Sequence, residues 1–385
     1  MENVLLVFGG MSYEHDISIV TASQIFNQTR LQNFNLVCLY VSKKNRFYVY
    51  KSENFNINDF AGFDDLKHSK KFKEVVFVSG EPQKLFLVSI FGLKEYLKVS
   101  LAINACHGGC GENGKLVAFL ESQGVYSSSG SFEGLAISMN KMLFKNLMKG
   151  TKVPVVSGFV VNQKDFINDR EKSCNRLKFM KFPVVLKPLC GGSSIGLFVA
   201  KNREEFEEKI IQAFEFDENV LVEKFISEAR EFNIAVVGDC EDYLISEIDE
   251  PVKISEVLSF EDKYFGSSKT KKQSLDNDSS MNSQKRKFPA DIEISLKDRI
   301  MEISKKVVKV LNLSGVVRID FLYDEKNDKL YVCEVNTVPG SLAFYFFSKG
   351  KILINEFVER LICIAQKKRE TGNNIKIDFI TQIIS

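Results

Sequence analysis

Arg318, Asp320, Glu334 and Asn336 fall inside two short apolar runs, GVVRIDFLY at 315–323 and YVCEVN at 331–336. A polar group buried without a partner costs about 2–7 kcal/mol, so four in strand-like runs call for a shared purpose. Side chains alternate faces along a strand. Arg318 and Asp320 therefore share one face, opposite Val317, Ile319 and Phe321, and Glu334 and Asn336 share a face with Val332. The link DEKNDK at 324–329 suits a hairpin turn, which brings two carboxylates, an amide and a guanidinium to one patch. Two carboxylates about 4 Å apart repel by about 4 kcal/mol at an effective dielectric of about 20. A divalent cation removes that conflict. The all-oxygen set Asp320, Glu334 and Asn336 suits magnesium, which is usually held by one or two carboxylates plus substrate phosphates, and Arg318 can then stabilise charge on a transferred group. The alternative is a surface hairpin with a plain ion pair from Arg318 to Asp320 or Glu334.

A second group of residues suits phosphate. VVLKPLCGGSSIG at 184–196 ends a strand in Lys187 and continues into a loop of glycines and serines. Glycines let backbone N–H groups approach an anion, serines add donors, and Lys187 adds a point charge. The loop matches neither GxxxxGK[ST] nor GxGxxG, and a tight Gly-Ser turn is the plainer reading. Glu14 in SYEHDIS either caps the following helix or holds an ammonium group. His107, one of 3 histidines, follows a strand and precedes glycines, which suits either a site or a structural hydrogen bond to the backbone. Lys263 and Tyr264 stand where a lid over phosphates needs them, or are an ordinary loop lysine and a packing tyrosine.

The elements that position these residues read as α/β and α+β. NVLLVFGG, NLVCLYV and VSLAINACHG read as buried strands, with helices at Ile17 to Phe26 and Lys115 to Gln123. That order predicts an N-terminal parallel α/β sheet over 1–129, with its crevice at the strand carboxyl ends. A central unit, 130–227, opens with a helix from Ile137 to Lys149 and contains the strands VPVVSGFVV, FPVVLKPL, LFVA and NVLVEKFI and a helix from about Arg203 capped by Asn202. The third unit, 228–385, holds EFNIAVVGD, YLISEI, a helix at 296–312, the hairpin and a last helix near 352–368. Within it, 266–287 has only Leu275 and Met281 as large apolar residues and is expected to be a mobile surface loop.

Bulk properties narrow the classes. The 385 residues support two or three proper cores. Lys+Arg 52 against Asp+Glu 50, net charge +2, does not describe a nucleic-acid coat or a membrane-surface protein. No apolar run reaches the length of a membrane span, and MENVLLVFGG lacks the basic segment of a signal peptide. The 8 cysteines are scattered without a CxxC pair, and CHGGC at 106–110 has no second ligand pair for zinc. A cytoplasmic protein with reduced thiols is expected.

Taken in order, GGMSYEHDIS, HGGCGENG, SMNK, VVLKPLCGGSSIG, LVEKF, EDKY, GVVRIDF and EVNTVPG resemble the D-alanine–D-alanine ligases of the ATP-grasp superfamily, from residue 5 to about 345. The resemblance implies a three-domain ATP-grasp architecture that joins two D-alanines through an acylphosphate made from ATP, for peptidoglycan precursors. It implies ATP contacts from Lys141, Lys187, Ser194, Glu223, Lys224, Ile226, Glu231 and Lys263. Asp320, Glu334 and Asn336 match the family's ligands for two Mg2+ or Mn2+ ions. Glu14, Ser193 and Tyr264 match a hydrogen-bonded set around the first substrate, with His107 on the substrate side, and Arg318 with the Gly340 N–H matches the oxyanion site. The expected partners are D-alanine and ATP, with no nucleic acid and no membrane, and a homodimer is expected. The chain departs from the pattern at Asn113, in the insertion 266–287, and at SLAFYFF (341–347). There, many relatives carry a hydroxyl residue that binds the acceptor carboxylate, and Tyr345 falls near that place. Rival readings are another ATP-grasp carboxylate–amine ligase, a non-catalytic nucleotide-binding regulator, and a nucleic-acid binder using KTKK and KRK.

Overall fold

The computed structural model describes residues 1–62, 70–252, 286–348 and 352–374. Its first sheet contains β1 (Glu2–Gly9), β2 (Phe34–Val41), β3 (Phe47–Tyr50), β4 (Phe72–Phe77), β5 (Lys84–Ser89), β6 (Gly92–Lys98), β7 (Leu101–Asn104) and β8 (Tyr126–Ser127), in the order β6-β5-β4-β3-β2-β1-β7-β8. Only β2, β1, β7 and β8 pair in parallel. The expected parallel sheet is therefore half of a mixed one, extended by the antiparallel strands β3 to β6. Residues Val4 to Phe8 of β1 are wholly buried, because a parallel strand covered on both faces must be apolar throughout. The carboxyl ends of β1 and β7 open onto Gly9–Gly10 and onto Cys106–Gly111, where the sequence placed the crevice.

The central unit is an antiparallel sheet of β9 (Gly158–Asn162), β10 (Val184–Pro188), β11 (Phe198–Ala200) and β12 (Asn219–Lys224), in the order β11-β10-β12-β9. The helix Arg203–Ala213, capped by Asn202 on the N–H of Glu205, buries Phe206 and Ile210 beneath it. One expectation fails at its entrance. The stretch 137–149 is not one helix, because Asn140 adopts an extended conformation and its side chain accepts from the N–H groups of Met142 and Leu143. That cap starts a new helix, Lys141–Gly150, whose first residue faces the glycine loop.

The third sheet orders as β14-β13-β17-β18, with β13 at Arg230–Gly238 and β14 at Tyr243–Ile245. A short pair, β15 (Glu250–Pro251) and β16 (Arg286–Lys287), lies between these and the hairpin strands β17 (Gly315–Asp324) and β18 (Lys329–Asn336). Arg286 and Lys287 thus belong to the fold, although they read as the end of a polar insertion. The rest of 266–287 lies outside the described residues. In the hairpin, Asp320 stands opposite Glu334, but Phe321 stands opposite Val332, and the extra residue, Cys333, forms a bulge. Val332 is consequently buried in the core while Glu334 and Asn336 face the cavity. Glu334 and Asn336 share a face as expected, but Val332 does not join them, since one inserted residue reverses the alternation.

Candidate active site

Two adjoining cavities border the C-terminal sheet, the first facing the central sheet and the second facing the N-terminal loops that carry Glu14 and His107. The first is lined by Lys141, Lys187, Ser194, Glu223, Lys224, Ile226 and Glu231, and across the gap by Asp320 and Glu334. The second is lined by Glu14, His107, Ser193, Arg318, Asn336 and Gly340, and shares Glu231, Asn233, Asp320 and Glu334 with the first. Every candidate named from sequence therefore borders one or both cavities, except Lys263 and Tyr264, which lie outside the described residues.

On the wall that carries the glycine loop, Glu223 is the organising charge. It sits on β12, 3% exposed, between Lys187, whose Nζ lies 2.7 Å from Oε2, and Lys145, which meets Oε1. Burial alone would raise its pKa, yet the two ammonium groups pull it down to about 2. Lys187 also lies 3.7 Å from the Cys333 sulfur and is held above the usual lysine range, because Cys333 and Glu223 outweigh its own burial. Lys141 donates to the carbonyls of Pro188 (3.2 Å) and Gly191, and its burial lowers its pKa. Lys145 was not singled out in the sequence. The signal was its position four residues after Lys141, hence on the same helix face.

The glycine loop is held in a demanding shape. Ser193 and Ser194 have φ of 53° and 59°, a left-handed conformation that costs a non-glycine residue about 1–3 kcal/mol. Ser193 Oγ donates to Glu14, which ties this loop to the N-terminal domain. Glu14 does occupy the cap position of helix His15–Gln28, but its side chain makes no cap bond. Gly108 packs against Glu14, where a Cβ would lie 2.6 Å from Oε2 at a φ of +67°.

His107 is 2% exposed and neutral, its pKa lowered chiefly by burial. Nδ1 donates to the Val338 carbonyl at 2.5 Å, which leaves Nε2 to accept from Thr21 Oγ1 at 2.8 Å. Thr21 Oγ1 in turn accepts from the Ser341 N–H at 3.1 Å. His107 is thus a clamp on the loop that carries Gly340. That loop leaves Gly340 through three consecutive left-handed residues, Ser341, Leu342 and Ala343. Glu112, also unassigned from sequence, lines the same cavity. Burial first, then Glu14 and Glu334, push its carboxyl up to about 8 against the Gly108 N–H.

Arg318 donates to both oxygens of Asp320, at 2.7 and 2.8 Å, and Asn336 adds a bond to Asp320 at 3.1 Å. The ion pair weighed as the plain alternative therefore exists, but in a cavity wall and not on an exposed hairpin. Among the described residues no group of three or more His, Cys, Asp or Glu forms a metal cluster. Two carboxylates and one amide instead make an incomplete oxygen set, which fits a magnesium ion that completes its shell with phosphate and water.

Facing sheets with lysines and a glycine loop on one wall and a carboxylate–amide patch on the other define the ATP-grasp class of carboxylate–amine ligases. The D-ala D-ala ligase N-terminus profile matches residues 3–129, and the D-ala D-ala ligase C-terminus profile matches 147–352. The D-alanine–D-alanine ligase of Thermosipho melanesiensis is 33% identical over 382 residues, covering 98% of this chain and 97% of its own. The crystal structure of the Helicobacter pylori ligase superposes with a TM-score of 0.73 at 27% identity, covering 94% of this chain and 98% of its own. The Coxiella burnetii ligase gives 0.77 at 21% identity, covering 97% and 96%, and so speaks for the fold alone. The chain belongs to the D-alanine–D-alanine ligase family, and its activity is the joining of two D-alanines for cell-wall synthesis.

Proposed function

We propose that the two cavities divide the reaction, with ATP in the first and the two D-alanines in the second, across units 1–129, 130–227 and 228–385. The carrying observation is that Asp320 and Glu334 border both cavities, where a γ-phosphoryl group passes between them. Lys141, Lys187 and the Ser194 loop take the phosphates. Glu223, Lys224 and Ile226 take the adenine and Glu231 the ribose, and Lys263 closes from the lid. The donor D-alanine lies by Glu14, Ser193, His107 and Tyr264, and its carboxylate oxygen attacks the γ-phosphorus, releasing ADP and forming an acylphosphate.

The neutral amine of the second D-alanine then attacks the acyl carbon, and phosphate leaves. Arg318 and the Gly340 N–H stabilise the tetrahedral oxyanion, which requires Arg318 to loosen its fork from Asp320. Asp320, Glu334 and Asn336 hold two Mg2+ or Mn2+ ions, which supply positive charge to the phosphoryl oxygens when bound. A homodimer and a cytoplasmic location belong to the same reading. All 8 cysteines are free thiols, and no helix among the described residues is long and apolar enough to cross a membrane. The test is phosphate release from ATP with D-alanine, L-alanine, D-serine and D-lactate, in wild type and Glu334→Gln. D-alanine-dependent release that is lost in a folded Glu334→Gln variant is expected, and normal turnover in that variant at saturating magnesium would remove the metal assignment.

A further inference from the structure

Two zwitterionic substrates bring two carboxylates and two ammonium groups into the second cavity. Among the described residues that line it, the cations are Arg318 and Arg286, and Glu14 and Glu112 are the carboxylates not shared with the first cavity. Arg318 is already committed to Asp320, beside the first cavity. Arg286 lines the same cavity from β16. The backbone pairs it with Pro251 in β15, its Nη1 lies 3.3 Å from buried Asp249, and its guanidinium stacks 5.1 Å above the ring of Tyr345. The platform is itself fixed, since Tyr345 packs on Phe346 at 4.5 Å and Phe346 meets Phe288 at 5.7 Å. A guanidinium held over an aromatic ring and paired with a carboxylate is oriented at little entropic cost, and its planar fork matches a second carboxylate.

We infer that Arg286, aligned by Tyr345 and Asp249, binds the carboxylate of the acceptor D-alanine. This rests on the assignment of the second cavity to the amino acids. The acceptor carboxylate does not react and needs a cation away from the phosphates, and Arg286 and Tyr345 border only the second cavity. Such an anchor also sets the acceptor's direction, with its amine toward Gly340 and its carboxylate toward Arg286. A serine hydroxyl in the place of Tyr345 would contact a carboxylate directly. Here a ring occupies that place, and the charge comes from Arg286 on β16.

The test uses the full-length enzyme, with the two D-alanine Michaelis constants resolved and with D-alaninamide as an acceptor lacking the carboxylate. Wild type is expected to prefer D-alanine over D-alaninamide by about 10–100-fold, as for a charge-assisted hydrogen-bonded pair. Arg286→Met should raise the acceptor KM by a similar factor and abolish that preference, while the KM values for donor and ATP change by less than about threefold. Arg286→Lys should recover part of the preference, because it keeps the charge and loses the fork. An unchanged acceptor KM with an intact preference in Arg286→Met would overturn the inference. If that variant does not fold, a wild type that uses D-alaninamide as well as D-alanine overturns it too. Loss of activity in Glu334→Gln beside a normal Arg286→Met would sink this inference alone, whereas a fully active Glu334→Gln would sink the site reading beneath it.

Discussion

Neutral His107 is kept in place by what surrounds it. Its ring bridges Val338 of the loop that carries Gly340 and Thr21 of the first helix, and burial depresses its pKa below the ordinary 6.5. The unfolded chain therefore binds more protons than the native protein once pH falls below 6.5, and stability drops as pH falls from there toward the native value. Glu112 acts with the opposite sign. Its folded value of about 8 lies above the ordinary 4.5, so its contribution is complete below 4.5 and is lost as pH rises toward 8. Comparing wild type with His107→Gln separates the two, because glutamine can still donate to Val338 and accept from Thr21 but does not titrate. The wild type is expected to lose stability between pH 6.5 and 5 more steeply than His107→Gln, by at most about 1.4 kcal/mol per pH unit. Urea unfolding at half-unit pH steps measures this, and parallel curves would show that His107 does not titrate on unfolding.

At the scale of elements, the polar insertion ends one strand earlier than its composition implies. Removing 267–285 deletes a run whose large apolar residues are only Leu275 and Met281, and roughly halving a loop alters closure entropy by only about 0.6 kcal/mol. Folding is expected to survive with an unchanged urea midpoint to within about 0.5 kcal/mol. Extending the deletion through Arg286 should impair turnover, because the Asp249 and Tyr345 contacts go with it. Circular dichroism and turnover on the two deletions check this, and a shorter deletion that fails to unfold cooperatively would refute it. Arg286 was unreadable in sequence for a reason of kind. Its run KRK is charged like the polar sequence before it, and only the pairing with Glu250–Pro251 turns one arginine inward. The strands that carry the nucleotide wall were legible, since their apolar runs end at Gly, Pro or charge. The bulge at Cys333 was not, because a single extra residue leaves no compositional mark. Asn140 was legible as a motif residue but not as a cap, since the apolar pattern continues on both sides of it. Lys145 carried only its spacing from Lys141, a weak signal because a lysine on an amphipathic helix normally points to solvent, and the carboxylate of Glu223 draws it inside.

The cores of the whole molecule do not follow the order of the chain. One cluster joins Val4, Phe8 and Ile103 of the first sheet to Phe346, Phe357 and Leu361 near the C-terminus, and another joins Val117 and Phe144 to Ile319 and Val332. The buried cluster of the central unit draws only on residues between Phe159 and Val222. Its ties to its neighbours include the polar contacts of Ser193 with Glu14, Lys187 with Cys333, Lys145 with Glu223 and Lys141 with Gly191, whereas the shared cores are held by apolar packing and should separate later. Calorimetry without ligand is therefore expected to show two overlapping transitions, with the central unit unfolding first. In the proposed site a non-hydrolysable ATP analogue with magnesium would contact Lys141, Lys187 and Glu223 on one side and the Asp320–Glu334 patch on the other, and would therefore bind only the joined form. At 100 times its Kd it should stabilise that form by about 2.7 kcal/mol and merge the two transitions into one at higher temperature. Hydrogen exchange identifies the parts, since protection in β10 and β12 should rise with nucleotide more than protection in β1 and β2. A single transition without ligand, or equal protection gains in both sheets, would show that the central unit is already locked to the rest of the fold before ATP arrives.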